Sequence, residues 1–126
     1  MNKSSKRHIA ILGSTGSIGT QALEVIRATP DFFELEVLTA NNNAGLLIKQ
    51  ALQYQPNAVV IGNTEKYDEV HKALASENIK VYAGEDALDQ IVEMDDIDMV
   101  LAAMVGYAGL RSTLAAIKAG KQIALA

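Results

Sequence analysis

A short segment near the amino end combines glycines and hydroxyl side chains in a pattern that could bind phosphate. In ILGSTGSIGTQALEVI, glycines at intervals of three alternate with hydroxyl residues: Gly13, Thr15, Gly16, Ser17 and Gly19. Glycine permits a tight turn and the close approach of an anion, while hydroxyls are uncharged hydrogen-bond donors. The spacing differs from the G-x-G-x-x-G of the common dinucleotide fingerprint. Whether this segment binds phosphate therefore depends on where the turn lies in the fold.

The residues around this turn place it between a strand and a helix. The apolar run His8–Leu12 is typical of a buried strand, and apolar residues then recur at helical spacing as far as Pro30. The order strand, glycine turn, helix is the one that binds a pyrophosphate on the helix N-terminus. Gly19 falls in the first helical turn, where a small residue lets helix and strand pack closely. We therefore predict a pyrophosphate-binding turn, the alternative being a plain loop that contains glycine.

The end of the second predicted strand, Phe33–Thr39, indicates which dinucleotide would bind. Enzymes that use NAD commonly carry an Asp or Glu there, which binds the ribose 2′-hydroxyl. Here the strand runs into Asn41, Asn42 and Asn43, and Glu36 lies too early in the strand. Amide donors and a helix N-terminus accept a 2′-phosphate that a carboxylate would repel. The triplet favours NADP, unless the Asn residues only form the turn and cap the next helix.

A third candidate segment, AAMVGYAGL, occupies residues 102–110 after the fifth predicted strand. Ligands of doubly wound sheets bind at the carboxyl edge, where this segment must lie. We expect Gly106 and Gly109 to let a loop approach a bound cofactor. The apolar residues Ala102–Val105 suit contact with a nicotinamide or adenine ring, the alternative being a strand end that packs in the core.

No residues for catalysis accompany these segments. Tyr107 could serve as the Tyr of some reductases, but Arg111 stands where their Lys lies four residues later. His8 and His71 have no plausible metal or catalytic partner in the sequence. We therefore predict no catalytic residue and no metal ligand in this chain, only a cofactor site.

The elements that must position these segments alternate along the chain. The predicted strands are short and almost entirely apolar: His8–Leu12, Phe33–Thr39, Ala58–Ile61, Ile79–Ala83, Asp98–Ala103 and Gln122–Ala126. A helix follows each of the first five, which implies a parallel sheet covered on both faces. Right-handed crossovers then favour a doubly wound, Rossmann-like α/β fold in three layers, α/β/α. The alternative is a flavodoxin-like strand order, which the glycine turn after the first strand weakens.

Details of two helices can also be predicted. Thr64 is the expected N-cap of the third helix, which reaches about Ala75 and carries Val70, Ala73 and Leu74 on its inner face. The fifth helix is predicted over residues 110–119, and Gly120 is its expected C′ residue.

Composition excludes several classes of protein. The 126 residues suit one domain, and a net charge of −4 argues against a nucleic-acid partner. Without cysteine the chain can form neither disulfides nor thiolate metal sites. No apolar run approaches the roughly 20 residues of a membrane span. We predict a cytoplasmic protein with neither a nucleic-acid nor a membrane partner.

The quoted segments together resemble one family. ILGSTGSIGTQALEVI, the Asn-rich turn and AAMVGYAGLRSTLAAIKAGKQIALA are similar to the amino-terminal domain of the 1-deoxy-D-xylulose 5-phosphate reductoisomerases, over residues 9–126. The resemblance implies an NADPH-dependent enzyme of the methylerythritol phosphate route to isoprenoids. Such an enzyme converts 1-deoxy-D-xylulose 5-phosphate to 2-C-methyl-D-erythritol 4-phosphate with Mg²⁺ or Mn²⁺, and family members are homodimers.

The resemblance also assigns site residues. It implies that Thr15, Gly16, Ser17 and Ile18 hold the cofactor phosphates. It implies that Asn41, Asn42 and Asn43 face the adenosine ribose with its 2′-phosphate, and that Ala102–Gly106 lies near the nicotinamide.

Two departures from the family pattern modify these expectations. Members commonly have Gly and Lys where Asn41 and Asn42 stand, so a weaker preference for NADPH is expected. Members also continue with an Asn-Lys-Glu segment, metal ligands, a substrate phosphate site and a lid. We therefore expect residues 1–126 to be the NADPH-binding domain alone, binding NADPH without catalysis, with the catalytic, metal-binding and carboxy-terminal domains absent from this chain. The alternatives are the NADP-binding domain of another reductase and a non-catalytic NADP-binding module.

Overall fold

The computed structural model describes residues 6–104 and 107–125, apart from the side chains of 107–110 and 125. Within them, strands and helices alternate as follows: β1 (Arg7–Leu12), α1 (Ser17–Ala28), β2 (Phe33–Ala40), α2 (Ala44–Tyr54), β3 (Ala58–Ile61), a 3-10 turn (Thr64–Lys66), α3 (Tyr67–Ala73), β4 (Lys80–Ala83), α4 (Glu85–Ile91), β5 (Met99–Ala102), α5 (Tyr107–Lys118) and β6 (Gln122–Leu125). Every predicted strand is present, with ends that differ by at most one residue. In the described part of the chain, no helix is both long and apolar enough to cross a membrane.

The strands form one parallel sheet in the order β4-β3-β2-β1-β5-β6. The chain builds outward from β1 through β2, β3 and β4, and then returns to place β5 on the other side of β1. This reversal is the topological switch point of a doubly wound fold, and it rules out the flavodoxin-like order. The crevice at the carboxyl ends of β1 and β5 is where ligands of such sheets bind.

Helices cover both faces of the sheet, because alternate residues of β1 belong to two separate hydrophobic cores. Ile9 and Ile11 join the core beneath α1, α2 and α3, whereas Ala10 and Leu12 join the core beneath α4 and α5. The helical residues of the first core are Leu23, Ile26, Ala44, Leu47, Ala51 and Val70, and Leu74 joins it directly after α3. Those of the second are Leu88, Ile91 and Ala116. The predicted three-layer α/β/α architecture is confirmed.

Two details of the third helix are predicted wrongly. Asn63, rather than Thr64, is the capping residue, since its Oδ1 accepts a hydrogen bond from the Glu65 N–H at 3.0 Å. Asn is among the strongest N-caps, and a 3-10 turn intervenes before α3 begins. Ala73 is exposed at the end of this shorter helix, whereas Val70 is buried as predicted.

The fifth helix starts earlier than predicted. It begins at Tyr107 rather than Leu110, so Gly109 lies in a helix and the expectation that it belongs to an approaching loop is wrong. Glycine is a poor helix former only where it replaces a bonded interior residue, and the first helical turn lacks those bonds. Val105 and Gly106 lie outside the described residues.

The end of the fifth helix follows the prediction. Gly120 has φ +81°, its N–H donates to the carbonyl of Ile117 at 3.0 Å, and the N–H of Lys121 donates to the carbonyl of Ala116 at 3.1 Å. These two bonds define a Schellman motif with glycine at C′. The predicted C′ role of Gly120 is confirmed.

Candidate cofactor site

The three positions of the turn between β1 and α1 that carry glycine differ in whether the packing of the fold requires it. Gly13 has φ +86°, and a β-carbon on it would lie 2.9 Å from the backbone nitrogen of Met104. A β-carbon on Gly19 would overlap the carbonyl oxygen of Gly13, which confirms that helix and strand pack closely there. Gly16 has an ordinary φ of −77°, and the nearest atom to its β-carbon would be 3.6 Å away. The protein's own packing requires glycine at 13 and 19 but leaves open space at 16.

The amino end of α1 offers unpaired hydrogen-bond donors at this open position. Gly16 is the N-cap, and no side chain in the described part of the chain caps the helix. The N–H of Thr20 donates to the carbonyl of Gly16 at 2.9 Å. The N–H groups before it, in the first turn, have no carbonyl acceptor within the helix. Ser17 and Ile18 are exposed beside them. Donors, a positive helix end and room for an approaching group are what a pyrophosphate requires.

Two buried polar side chains, which sequence reasoning missed, hold the turn in place. Thr39 at the end of β2 accepts a hydrogen bond from the Gly13 N–H on its hydroxyl, at 3.0 Å, and one from the Ser14 N–H on its carbonyl, at 2.8 Å. Gln50 in α2 makes two hydrogen bonds to Ser14. The available sequence signal was weak: a polar Gln at an inner position of a helix whose neighbours there are apolar.

The Asn triplet lies where predicted, at the carboxyl end of β2, and all three residues are exposed. Asn43 caps α2, since its Oδ1 accepts from the N–H of Leu46 at 3.2 Å. Asn42 accepts on Oδ1 from the side-chain amide of Asn63 at 3.0 Å, which leaves its own N–H donors for another partner. Asn43 thus caps the next helix, as the alternative interpretation of the triplet expects. Asn42 instead presents its amide donors to solvent.

Asn41 lies against the turn that ends β3. A β-carbon on Gly62 would lie 2.6 Å from the Asn41 side-chain oxygen, so Gly62 makes room for Asn41. The N–H of Asn63 donates to the carbonyl of Asn41 at 2.8 Å. The loops after β2 and β3 therefore support each other beside the glycine turn.

The third candidate segment reaches the same edge of the sheet. The N–H of Ala103 donates to the carbonyl of Leu12 at 2.9 Å, and Met104 follows directly against Gly13. The residues Ala102–Met104 are partly exposed. Because β2, β1 and β5 are parallel neighbours, the Asn triplet, the glycine turn and this segment form one continuous edge.

Glu36 and His8 lie at the opposite, amino-terminal edge. His8 has a structural partner that the sequence did not indicate: its Nδ1 lies 2.6 Å from Oε2 of Glu36, whose other oxygen accepts from the Asn57 amide. The hydrogen bond to Glu36 and the nearby carboxylates raise the pKa of His8. The β1–β2 register shifts between Ile9 and Ala10, which leaves Glu36 without a residue opposite it in β1. Glu36 is thus a structural partner at the edge of the sheet opposite the Asn triplet.

The amino-terminal edge also carries a cavity of about 330 Å³, lined in part by Glu36, Asn57 and Tyr82. It has no contact with the glycine turn. In the described ranges, no group of three His, Cys, Asp or Glu residues could hold a metal ion.

The switch point, the uncapped N-terminus of α1 and the open space at Gly16 are features of a doubly wound dinucleotide-binding domain. Comparison with known proteins identifies the family. The family model of 1-deoxy-D-xylulose 5-phosphate reductoisomerase matches residues 9–126, and the chain belongs to this family.

Curated relatives of that name are considerably longer than this chain. The one from Phocaeicola vulgatus is 64% identical over 121 residues, which cover 96% of this chain and 32% of the relative. The one from Bacteroides fragilis is 60% identical over 126 residues, which cover 100% of this chain and again 32% of the relative. The chain spans about a third of the length of these relatives.

Solved structures of similar proteins share the fold. The reductoisomerase from Zymomonas mobilis in complex with NADPH superposes with a TM-score of 0.90 at 39% identity, covering 96% of this chain and 32% of that one. A second, in complex with NADPH, fosmidomycin and magnesium, gives 0.88 at 34% identity, covering 93% of this chain and 29% of that one.

Proposed function

We propose that this chain is the NADPH-binding domain of a 1-deoxy-D-xylulose 5-phosphate reductoisomerase. The observation that carries the proposal is Gly16, a glycine that the protein's own packing does not need, at the uncapped start of α1. A pyrophosphate explains both the missing side chain and the unpaired donors. The solved Zymomonas mobilis relative, which contains NADPH at 39% identity, supports the choice of cofactor.

Three segments of the chain bind three different parts of the cofactor. Thr15, Gly16, Ser17 and Ile18 hold the phosphates, chiefly through backbone N–H groups of the turn and of the first turn of α1. Asn41, Asn42 and Asn43 face the adenosine ribose and its 2′-phosphate, with the free Asn42 amide as the best-placed donor. Ala102–Met104 provides an apolar surface for the nicotinamide. When bound, NADPH supplies the hydride for the reduction.

The remaining chemistry belongs to a longer protein. The whole enzyme converts 1-deoxy-D-xylulose 5-phosphate to 2-C-methyl-D-erythritol 4-phosphate with Mg²⁺ or Mn²⁺, and its substrate and metal sites lie outside residues 1–126. Relatives about three times as long as this chain support this division. The resemblance further implies a homodimer of the complete enzyme. The net charge of −4 and the composition favour a cytoplasmic protein without a nucleic-acid or membrane partner.

A titration followed by an activity assay tests this proposal. The 126-residue chain is expected to bind NADPH saturably, measured by nucleotide fluorescence or calorimetry. It is also expected to show no NADPH oxidation with 1-deoxy-D-xylulose 5-phosphate, with or without Mg²⁺. Turnover by the chain alone would refute the division of labour, and a folded chain that binds no NADPH would refute the cofactor assignment.

A further inference from the structure

Gln50 is a polar residue in a position where its helix is otherwise apolar. The residue is 4% exposed, and its neighbours Leu47 and Ala51 are completely buried in the first core. Burying an amide is unfavourable unless its donors and acceptor find partners. Gln50 finds them in a single residue of the glycine turn, Ser14.

The two hydrogen bonds fix which way the Gln50 amide faces. Nε2 donates to the Ser14 carbonyl at 2.9 Å, and Oε1 accepts from the Ser14 hydroxyl at 2.8 Å. A carbonyl can only accept, so the amide nitrogen must face it. Ser14 also donates its N–H to the carbonyl of Thr39 at 2.8 Å. Ser14, which is fully buried, is therefore held through its backbone donor, its backbone acceptor and its side chain.

Holding the Ser14 carbonyl also determines the direction of the next N–H group. The peptide unit that joins Ser14 to Thr15 is planar and trans, so its C=O and N–H point in opposite directions. Because the carbonyl points at Gln50 in the core, the Thr15 N–H points away from α2. Thr15 is the first of the residues proposed to hold the cofactor phosphates.

The helix that carries Gln50 also carries the other end of the site. Asn43, which caps α2, lies seven residues before Gln50 on that helix, beside the residues proposed for the adenosine ribose. α2 thus connects the Asn triplet to the glycine turn through a pair of buried hydrogen bonds.

We propose that Gln50 is a positioning residue for the cofactor pyrophosphate, which sets the Ser14–Thr15 peptide unit before the cofactor arrives. The inference rests on the proposed function, because it assigns a ligand to the turn that Gln50 holds. Preorganised donors bind an anion more tightly than donors that must first be ordered. Loss of the Gln50 bonds should therefore weaken cofactor binding beyond any effect on folding.

The test uses Gln50→Glu in the full-length protein, with NADP⁺ as the probe because NADPH decomposes in acid. An ionised carboxylate cannot donate to the Ser14 carbonyl, whereas a protonated one can, and burial raises the pKa of such a Glu. We expect NADP⁺ to bind about tenfold more weakly than to wild type at pH 8, a loss of the size of one buried hydrogen bond. The deficit relative to wild type should shrink as the pH falls towards 5.5.

Gln50→Met is the matched control, because it keeps the length of the side chain but neither donates nor accepts through an amide. We expect it to bind NADP⁺ weakly at every pH, without the recovery seen for Gln50→Glu. Circular dichroism at each pH establishes that the variants are folded. If Gln50→Glu does not fold at pH 8, Gln50→Met and Ser14→Ala, which removes only the hydroxyl partner, decide the question at that pH.

Three outcomes would overturn parts of this scheme separately. Folded Gln50 variants that bind NADP⁺ within twofold of wild type would refute the positioning role. A loss in folded Gln50→Glu that does not shrink as the pH falls would show that the donor to the Ser14 carbonyl does not affect binding, and would refute its part in positioning the turn. Wild-type protein that binds no NADP⁺ at all would refute the proposed function itself.

Discussion

Gly13 and Met104 are in contact through their backbones: a β-carbon on Gly13 would lie 2.9 Å from the Met104 nitrogen. The contact crosses the switch point, since Gly13 ends β1 and Met104 follows β5. Leu12 and Ala103 are hydrogen-bonded immediately beside it. Two segments separated by about 90 residues thus form one wall of the crevice at the carboxyl edge of the sheet, where we propose that NADPH binds.

Gly13→Ala should destabilise the fold. The residue has φ +86°, where a side chain is strained, and the new methyl group would meet the backbone of Met104. We expect a loss of about 1–3 kcal/mol in the free energy of unfolding, measured in urea. Gly45→Ala is the control, because nothing lies within 4 Å of its β-carbon and alanine favours the helix. Equal stabilities of the two variants would contradict this interpretation of Gly13.

Gly16→Val should leave the fold intact and impair cofactor binding. Gly16 has φ −77°, and its β-carbon would meet nothing closer than 3.6 Å. We expect the free energy of unfolding to change by less than about 1 kcal/mol, because surface substitutions without special contacts have small effects. The Kd for NADPH should rise about tenfold or more, since lost phosphate hydrogen bonds are charge-assisted. Unchanged affinity in a titration would argue against the turn as the phosphate site.

Asn42→Asp should reduce the preference for NADPH over NADH. Asp keeps the oxygen that accepts from Asn63, so the local structure is retained, but its charge repels the 2′-phosphate. We expect the Kd for NADPH to rise by about tenfold while that for NADH changes little. Asn42→Lys is the control with the opposite sign, and it should strengthen NADPH binding. If both variants keep the wild-type ratio of the two affinities, Asn42 does not face the 2′-phosphate.

The ion pair between His8 and Glu36 should make stability depend on pH. The pKa of His8 is raised in the folded chain, so its contribution is complete below the unfolded value of 6.5 and is lost as the pH rises through the raised pKa. The loss should stay below about 1 kcal/mol, because the His8 side chain is 41% exposed. His8→Asn, which keeps a neutral donor at the Nδ1 position, should lack this decrease. Parallel curves for the two proteins between pH 5.5 and 8.5 in urea unfolding would contradict the assignment.

Sequence patterns were sufficient for the elements and their order, because the determinants are local. The apolar run before Gly13 and the helical spacing after it locate β1 and α1 without reference to the rest of the chain. The positive φ of Gly120 likewise follows from its place behind a helix. Right-handed crossovers then leave few arrangements of six parallel strands.

Contacts between distant residues could not be predicted in this way. The bonds of Gln50 to Ser14 join residues 36 positions apart, and only the packed fold brings them together. The pairing of His8 with Glu36 depends on a register shift beside Ile9, which the alternation of residue types in β2 does not reveal. Gly109 was assigned to a loop because glycine commonly indicates one, although the first turn of a helix, where Gly109 lies, tolerates it.

Packing requires glycine at positions 13 and 19 but not at 16, and this difference affects how such a turn would evolve. Gly13 and Gly19 are locked by neighbouring backbone atoms, so a descendant that had lost its coenzyme would still retain them. Gly16 alone would be released from selection, and any small or branched residue could replace it by drift. In a lineage of this fold, substitution at position 16 with intact glycines on either side would mark a pseudoenzyme.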